Sequence, residues 1–190
     1  MKYILLLIIT LYFYAAIRYH IGKELGHEYF IFVLNKAISW ASATCLGFSI
    51  IKLNPPFPSK KTLGISAFIL GLTHVILTLL LIFREFFPTY FSDKVISEEG
   101  YLVLFSGGLT ITLMVFPLLA SLFPSKYPKK LIKLGKFALL VNFSHPILIG
   151  IKNWWEPVYW PLLLPPITLL ATLVYAFTLL VYWKQKRVSL

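Results

Sequence analysis

Apolar residues fill six long stretches of the chain, and polar residues gather in short clusters between them. The stretches are Tyr3–Tyr19, Tyr29–Ile51, Leu63–Phe87, Tyr101–Phe123, Leu131–Ile151 and Trp160–Trp183. Each is close to the roughly 20 residues that a helix needs to cross the hydrocarbon layer. The punctuation has physical causes. Proline lacks the amide donor and restricts the residue before it, and Asn54-Pro55-Pro56-Phe57-Pro58 closes the second stretch. Pro88, Ser92-Asp93-Lys94 and Glu98-Glu99-Gly100 separate the third from the fourth, Pro124 and Pro128 end the fourth, and Pro157 with Pro161 precede the sixth. Trp154, Trp155, Tyr159 and Trp160 cluster before the last stretch, as aromatic rings do at a membrane interface. The pattern predicts an all-α integral membrane protein, a six-helix transmembrane bundle forming one domain over residues 1–190. The first stretch has a second reading, because Lys2, an apolar run and Ala15-Ala16 resemble a signal peptide, although bulky Tyr14 fits a small-residue cleavage site poorly.

Composition and charge narrow the function classes. The chain is 58% hydrophobic and 13% charged over 190 residues, against about 25% charged in soluble domains. Six spans use most of it, which leaves no room for a flavin, NAD or nucleotide-binding domain. Cys45 is the single cysteine and lies in an apolar run, so its expected role is packing. The net charge of +11 is sorted. With six spans, one side collects Lys2, Lys52, Lys60, Lys61, five lysines between Lys126 and Lys136, and Lys184, Lys186 and Arg187, with no acid. The other side holds all 7 acids and the remaining basic residues. Basic residues mark the cytoplasmic side, so both termini are expected there, in a plasma (inner) membrane. The same sorting points to anionic lipid headgroups as partners of the positive charge, rather than nucleic acid.

Ionisable residues deep inside spans are costly and point to function. His74 and His145 stand out. At about 1.5 Å per residue they lie roughly 16 Å and 21 Å into outward-running helices, so they can share a depth. Ala67, Gly71, His74 and Thr78 form one small-residue stripe at helical spacing; Gly135, Ala138, Asn142 and His145 form another. Such stripes leave a slot for a flat ligand, and two neutral imidazoles across it suit the axial positions of a haem iron. They also suit simple close packing of helices. Pro146 removes a helix hydrogen bond to the Asn142 carbonyl beside the slot. Arg84 and Lys152, farther out, are candidates to pair with haem propionates. His20 and His27, beside Glu24 and Glu28, read as solvated, and Gly107-Gly108 as a close helix approach. No nucleophile–base pair, phosphate loop or paired intramembrane carboxylates occur, so the sequence carries no self-contained hydrolytic or phosphoryl-transfer site.

The run from Lys61-Thr62-Leu63-Gly64-Ile65-Ser66-Ala67-Phe68 to Leu72-Thr73-His74 resembles the third span of ferric-reductase-type transmembrane domains. That group includes the haem-binding membrane subunit of the periplasmic methionine sulfoxide reductase system. Asn35-Lys36-Ala37 through Leu53-Asn54-Pro55 is similar to the preceding span, and Lys129-Lys130-Leu131-Ile132-Lys133-Leu134, ending at Ser144-His145, to the fifth. The resemblance covers roughly residues 30–185. It implies an electron-carrying haem b protein that takes electrons from a quinol or separate reductase and delivers them to an outer-side acceptor protein. The sequence also departs from the family. Ile132 stands where the fifth span has its first histidine, and a second third-span histidine would fall near Phe87 or Pro88. At most one bis-histidine haem remains, through His74 and His145. Relatives with two haems pair first histidine with first and second with second, which would assign these two to different haems. The alternatives are a non-haem scaffold or assembly subunit on the same fold and, least favoured because no acid lies within a span, a small-solute transporter.

Overall fold

A computed structural model of the chain describes residues 2–20, 27–82, 86–87, 90–93 and 95–188. Among them are six helices long and apolar enough to cross a membrane. They are α1 (Lys2–His20), α2 (His27–Ile50), α3 (Lys60–Leu80), α4 (Glu98–Leu122), α5 (Leu134–Trp154) and α6 (Ile167–Val188). Their outward faces carry Leu6, Phe13, Leu80, Phe105, Leu140 and Leu180, all well exposed. Large apolar side chains displayed on every helix are the surface expected against lipid, where no hydrophobic penalty attaches to them. The chain is an integral membrane protein with an all-α six-helix bundle.

Each helix packs on its neighbours in sequence, and α2 also packs on α5 and α6. That makes α2 the axis: 67% of its span is buried, against at most 33% for any other. Its sequence explains the position. Ala37, Ala41, Ser42, Ala43, Thr44 and Cys45 are small enough for backbones to approach closely. The Ser42 hydroxyl donates to the Ala67 carbonyl on α3 at 2.8 Å, which satisfies a polar side chain where no water reaches it. Helix α1 is pinned to the α5–α6 connection by Tyr14, which donates to the Pro165 carbonyl (2.7 Å), and by buried Arg18, which donates to the Leu164 carbonyl (2.6 Å).

The helix boundaries differ from the expected spans in three informative places. The third span was expected to reach Phe87, but α3 ends at Leu80 and Leu81 closes it with its amide shared between the Leu77 and Thr78 carbonyls. The aromatic residues beyond turn inward instead. Phe87 stacks on Tyr90 at 5.1 Å and meets Phe32 at 5.9 Å, so the chain gains core burial by leaving the helix. A short antiparallel hairpin follows, β1 (Phe91–Ser92) with β2 (Val95–Ile96), which alternation over so few residues did not reveal. It rests on Gly100, where a Cβ would lie 2.5 Å from the Tyr90 carbonyl oxygen, so only glycine fits beneath it. The sixth span was expected from Trp160, but α6 begins at Ile167. Two 3-10 turns occupy Pro157–Leu163, and Pro165-Pro166 sit just ahead of the first helical turn, where proline's missing amide costs nothing. Helix α5 is likewise preceded by a 3-10 turn over Lys129–Lys133 and so starts at Leu134 rather than Leu131.

Candidate functional site

Helices α2 to α6 wall a cavity of about 300 Å³. It lies in the half of the bundle nearer the α3–α4 connection, with Gly71, His74 and Thr78 from α3 and Phe87 and Tyr90 from the connection itself. Helix α4 contributes Gly107, Gly108 and Met114, and α5 contributes Asn142, His145, Pro146 and Ile149. His74 and His145 therefore line one cavity from two different helices. The volume is at the lower end of the range for small-molecule and cofactor pockets.

Each of the two rings is hydrogen-bonded at Nδ1. Asn35 uses its amide Nδ2 to donate to the Thr78 hydroxyl at 3.0 Å, which turns its Oδ1 toward His74 Nδ1 at 2.6 Å. A carbonyl oxygen only accepts, so His74 Nδ1 carries the proton. Ser106 spends its single hydroxyl proton on the Val103 carbonyl at 2.9 Å, and its oxygen lies 2.9 Å from His145 Nδ1. With the proton placed there, the oxygen accepts from His145 Nδ1. Both imidazoles thus keep an unprotonated Nε2 with a lone pair. A ring held at one nitrogen with the other left as a donor is the arrangement of a metal-ligating histidine.

The steric setting agrees with that reading. A Cβ on Gly107 would lie 3.2 Å from His145 Cε1, so glycine lets the α4 backbone come right up to the imidazole. A Cβ on Gly71 would meet Ile111 at 3.0 Å and Ser42 at 3.1 Å, while Gly108 faces open space. Two imidazoles alone cannot complete a protein-only metal shell, and no group of three His, Cys, Asp or Glu converges among the described residues. A macrocycle that brings its own in-plane donors needs only two axial ones. The donor set fits haem.

The other expected site residues divide. Gly71 and Asn142 line the cavity, and Asn142 donates to the Tyr175 hydroxyl across to α6. Ala67 is fully buried beneath Ser42 on the α2–α3 contact and does not reach the cavity. Ala138 is also buried away from it, and Gly135 faces Pro117. Lys152 is exposed and pairs with Glu99 at 2.6 Å, joining the end of α5 to the start of α4. Arg84 lies outside the described residues, as do the side chains of His20 and His27. Glu98 and Glu99 form the first turn of α4 behind the Ser97 cap, where the helix dipole favours acids.

Asn35, Ser106, Gly107 and Lys36 were not among the sequence candidates for the cavity. One signal finds the first two. Leu63-Gly64, Ala67, His74 and Ile76-Leu77 recur 71 residues later as Leu134-Gly135, Ala138, His145 and Ile147-Leu148, with Thr73 matched by Ser144. The same offset carries Asn35 to Ser106. At this offset the helix pairs α2–α3 and α4–α5 correspond in position, and each presents one imidazole and one Nδ1 partner to the shared cavity. Partners of this kind typically control metal affinity by about 10- to 100-fold. If the two imidazoles ligate a haem, Asn35→Leu and Ser106→Ala are expected to weaken its binding by about tenfold in a titration, leaving the shape of the bound spectrum unchanged.

No family model matches the chain, and no curated protein matches it significantly.

Proposed function

We propose that the chain is a membrane b-type haem protein of the ferric-reductase-like kind, an electron-transfer subunit serving an outer-side acceptor protein. The observation that carries this reading is the pair of imidazoles, each held at Nδ1, that line one cavity. His74 and His145 would hold the haem iron. Asn35 and Ser106 hold the rings, and Gly107 lets the α4 backbone approach the His145 ring. Bound haem would supply a one-electron couple. Apolar lining from Val75, Ile111, Met114 and Ile149 keeps water from the site, which with imidazole ligation is the protein's means of tuning such a couple.

Placement of the cavity supports one route of electron entry. It occupies the half of the bundle toward the α3–α4 connection, whose flanking segments carry acids, whereas the opposite end carries the lysine clusters. With the lysine-rich end cytoplasmic in a plasma (inner) membrane, the site lies toward the outer face. A single site there leaves the cytoplasmic half of the bilayer unspanned, which favours a membrane-dissolved quinol as donor over a soluble reductase. The test uses proteoliposomes loaded with a lipid-soluble quinol and ferricyanide outside. Ferricyanide reduction faster than in protein-free vesicles is expected. A rate no greater than that of vesicles carrying the His74→Ala/His145→Ala protein would refute the electron-carrying role.

A further inference from the structure

Lys36 is the cavity residue that the haem-ligand reading does not use. It lies on the axial helix α2, nine residues from the helix start, which at 1.5 Å per residue is about 14 Å below the helix end. It lines the cavity together with both histidines. Its ammonium sits 4.9 Å from the Phe32 ring centroid and 5.0 Å from that of Phe87. Those two faces offset part of the cost of a cation at this depth. They supply no counter-charge. Among the described residues no carboxylate lines the cavity, and the ion pair found among them, Lys152 with Glu99, is on the surface. Intramembrane cations almost always pair with an acid or face a ligand pathway. The 71-residue repeat sharpens the point, because the position matching Lys36 in the second unit is Gly107, which is given over to the His145 ring. One wall of the cavity is cationic and its counterpart is bare.

We propose that Lys36 is the seat for an acid group on the cavity's ligand, so that the cavity takes an amphipathic planar ligand carrying a carboxylate, orientated with that carboxylate toward Phe87 and the α3–α4 connection. This rests on the haem reading of the same site. It moves the counter-ion role that the sequence suggested for Lys152 to a residue inside the cavity.

The experiment titrates purified apoprotein with ferric haem and, separately, with haem dimethyl ester, which has the same iron and macrocycle without the carboxylates. Wild type, Lys36→Gln and Lys36→Arg are compared by their Soret absorption. Taking the ratio of the two affinities within each protein, then comparing proteins, removes the difference in detergent partitioning. Wild type and Lys36→Arg are expected to prefer the free acid over the ester about tenfold more than Lys36→Gln does, since truncating one member of a buried charge pair leaves the other unpaired. Without ligand, Lys36→Gln is expected to melt no lower than wild type, because it removes an uncompensated charge. If Lys36→Gln discriminates as well as wild type, or melts well below it without ligand, the inference is overturned while the haem reading stands. If neither porphyrin binds wild type, the haem reading fails and takes this one with it.

Discussion

Replacing either His74 or His145 with alanine is expected to abolish the six-coordinate, low-spin haem spectrum. Each ring lines the cavity from a different helix and is held there at Nδ1 by Asn35 or Ser106. Affinity should fall by about a hundredfold or more, beyond the effect of losing a hydrogen-bond partner behind a ligand. The remaining histidine leaves a five-coordinate species whose Soret band differs from wild type. Ser144→Ala is the matched control: Ser144 is next to His145 but faces away, with its hydroxyl bonded to the Val141 carbonyl, and the variant should keep the wild-type spectrum. Melting temperature in detergent separates loss of ligand from loss of fold.

The second large effect is steric. Gly107→Val places a branched Cβ where 3.2 Å already separates the ideal Cβ position from His145 Cε1. The imidazole must move, and moving it breaks the Ser106 bond at its Nδ1. Overpacking of this kind costs about 1–3 kcal/mol of stability, and haem affinity is expected to fall at least as far as in Ser106→Ala. Gly108→Ala, one residue on, meets nothing within 4 Å and is expected to bind haem as wild type does. A scaffold without haem predicts something different: Gly107→Val would lower stability alone, and both histidine variants would be spectroscopically silent.

The fold was legible where physics is local and cumulative. Twenty apolar residues in a row cannot be hidden in a soluble domain, and Pro55-Pro56 and Pro124 follow closely on the ends of α2 and α4, so the number of helices followed from the sequence. The ends were less legible where burial competes with helix continuation. Phe86 and Phe87 read as lipid-facing helix, yet they pack into the core against Phe32 and Tyr90, a long-range contact that no window reveals. Pro165-Pro166 act oppositely to the other proline pairs, opening α6 rather than closing a helix, because proline is tolerated at a helix start.

The site divides in the same way. His74 and His145 were visible because an imidazole in an apolar run is conspicuous, and Gly71 and Asn142 because they share a helical face with them. Ala67 shared that face by spacing, but the stripe is longer than the cavity, and its inner end is spent on the contact with Ser42. Asn35 and Ser106 were hidden because a polar residue near a span end looks unremarkable until the helix beside it is known. Lys36 was hidden by arithmetic: counted among the charges of one membrane side, it is in fact inside the cavity wall. The 71-residue repeat would have exposed the Asn35–Ser106 pair, since it maps one onto the other as it maps His74 onto His145.

The central claim is that one haem sits between those two histidines. Its most direct test is the absorption spectrum of the detergent-purified protein, expressed with ample haem and recorded oxidised and after dithionite, beside the His74→Ala/His145→Ala double variant. The wild type should show a Soret band that shifts on reduction and a sharp α band, with one haem per chain, and the double variant neither. Colourless wild-type protein, or a haem spectrum that survives unchanged in the double variant, would contradict it.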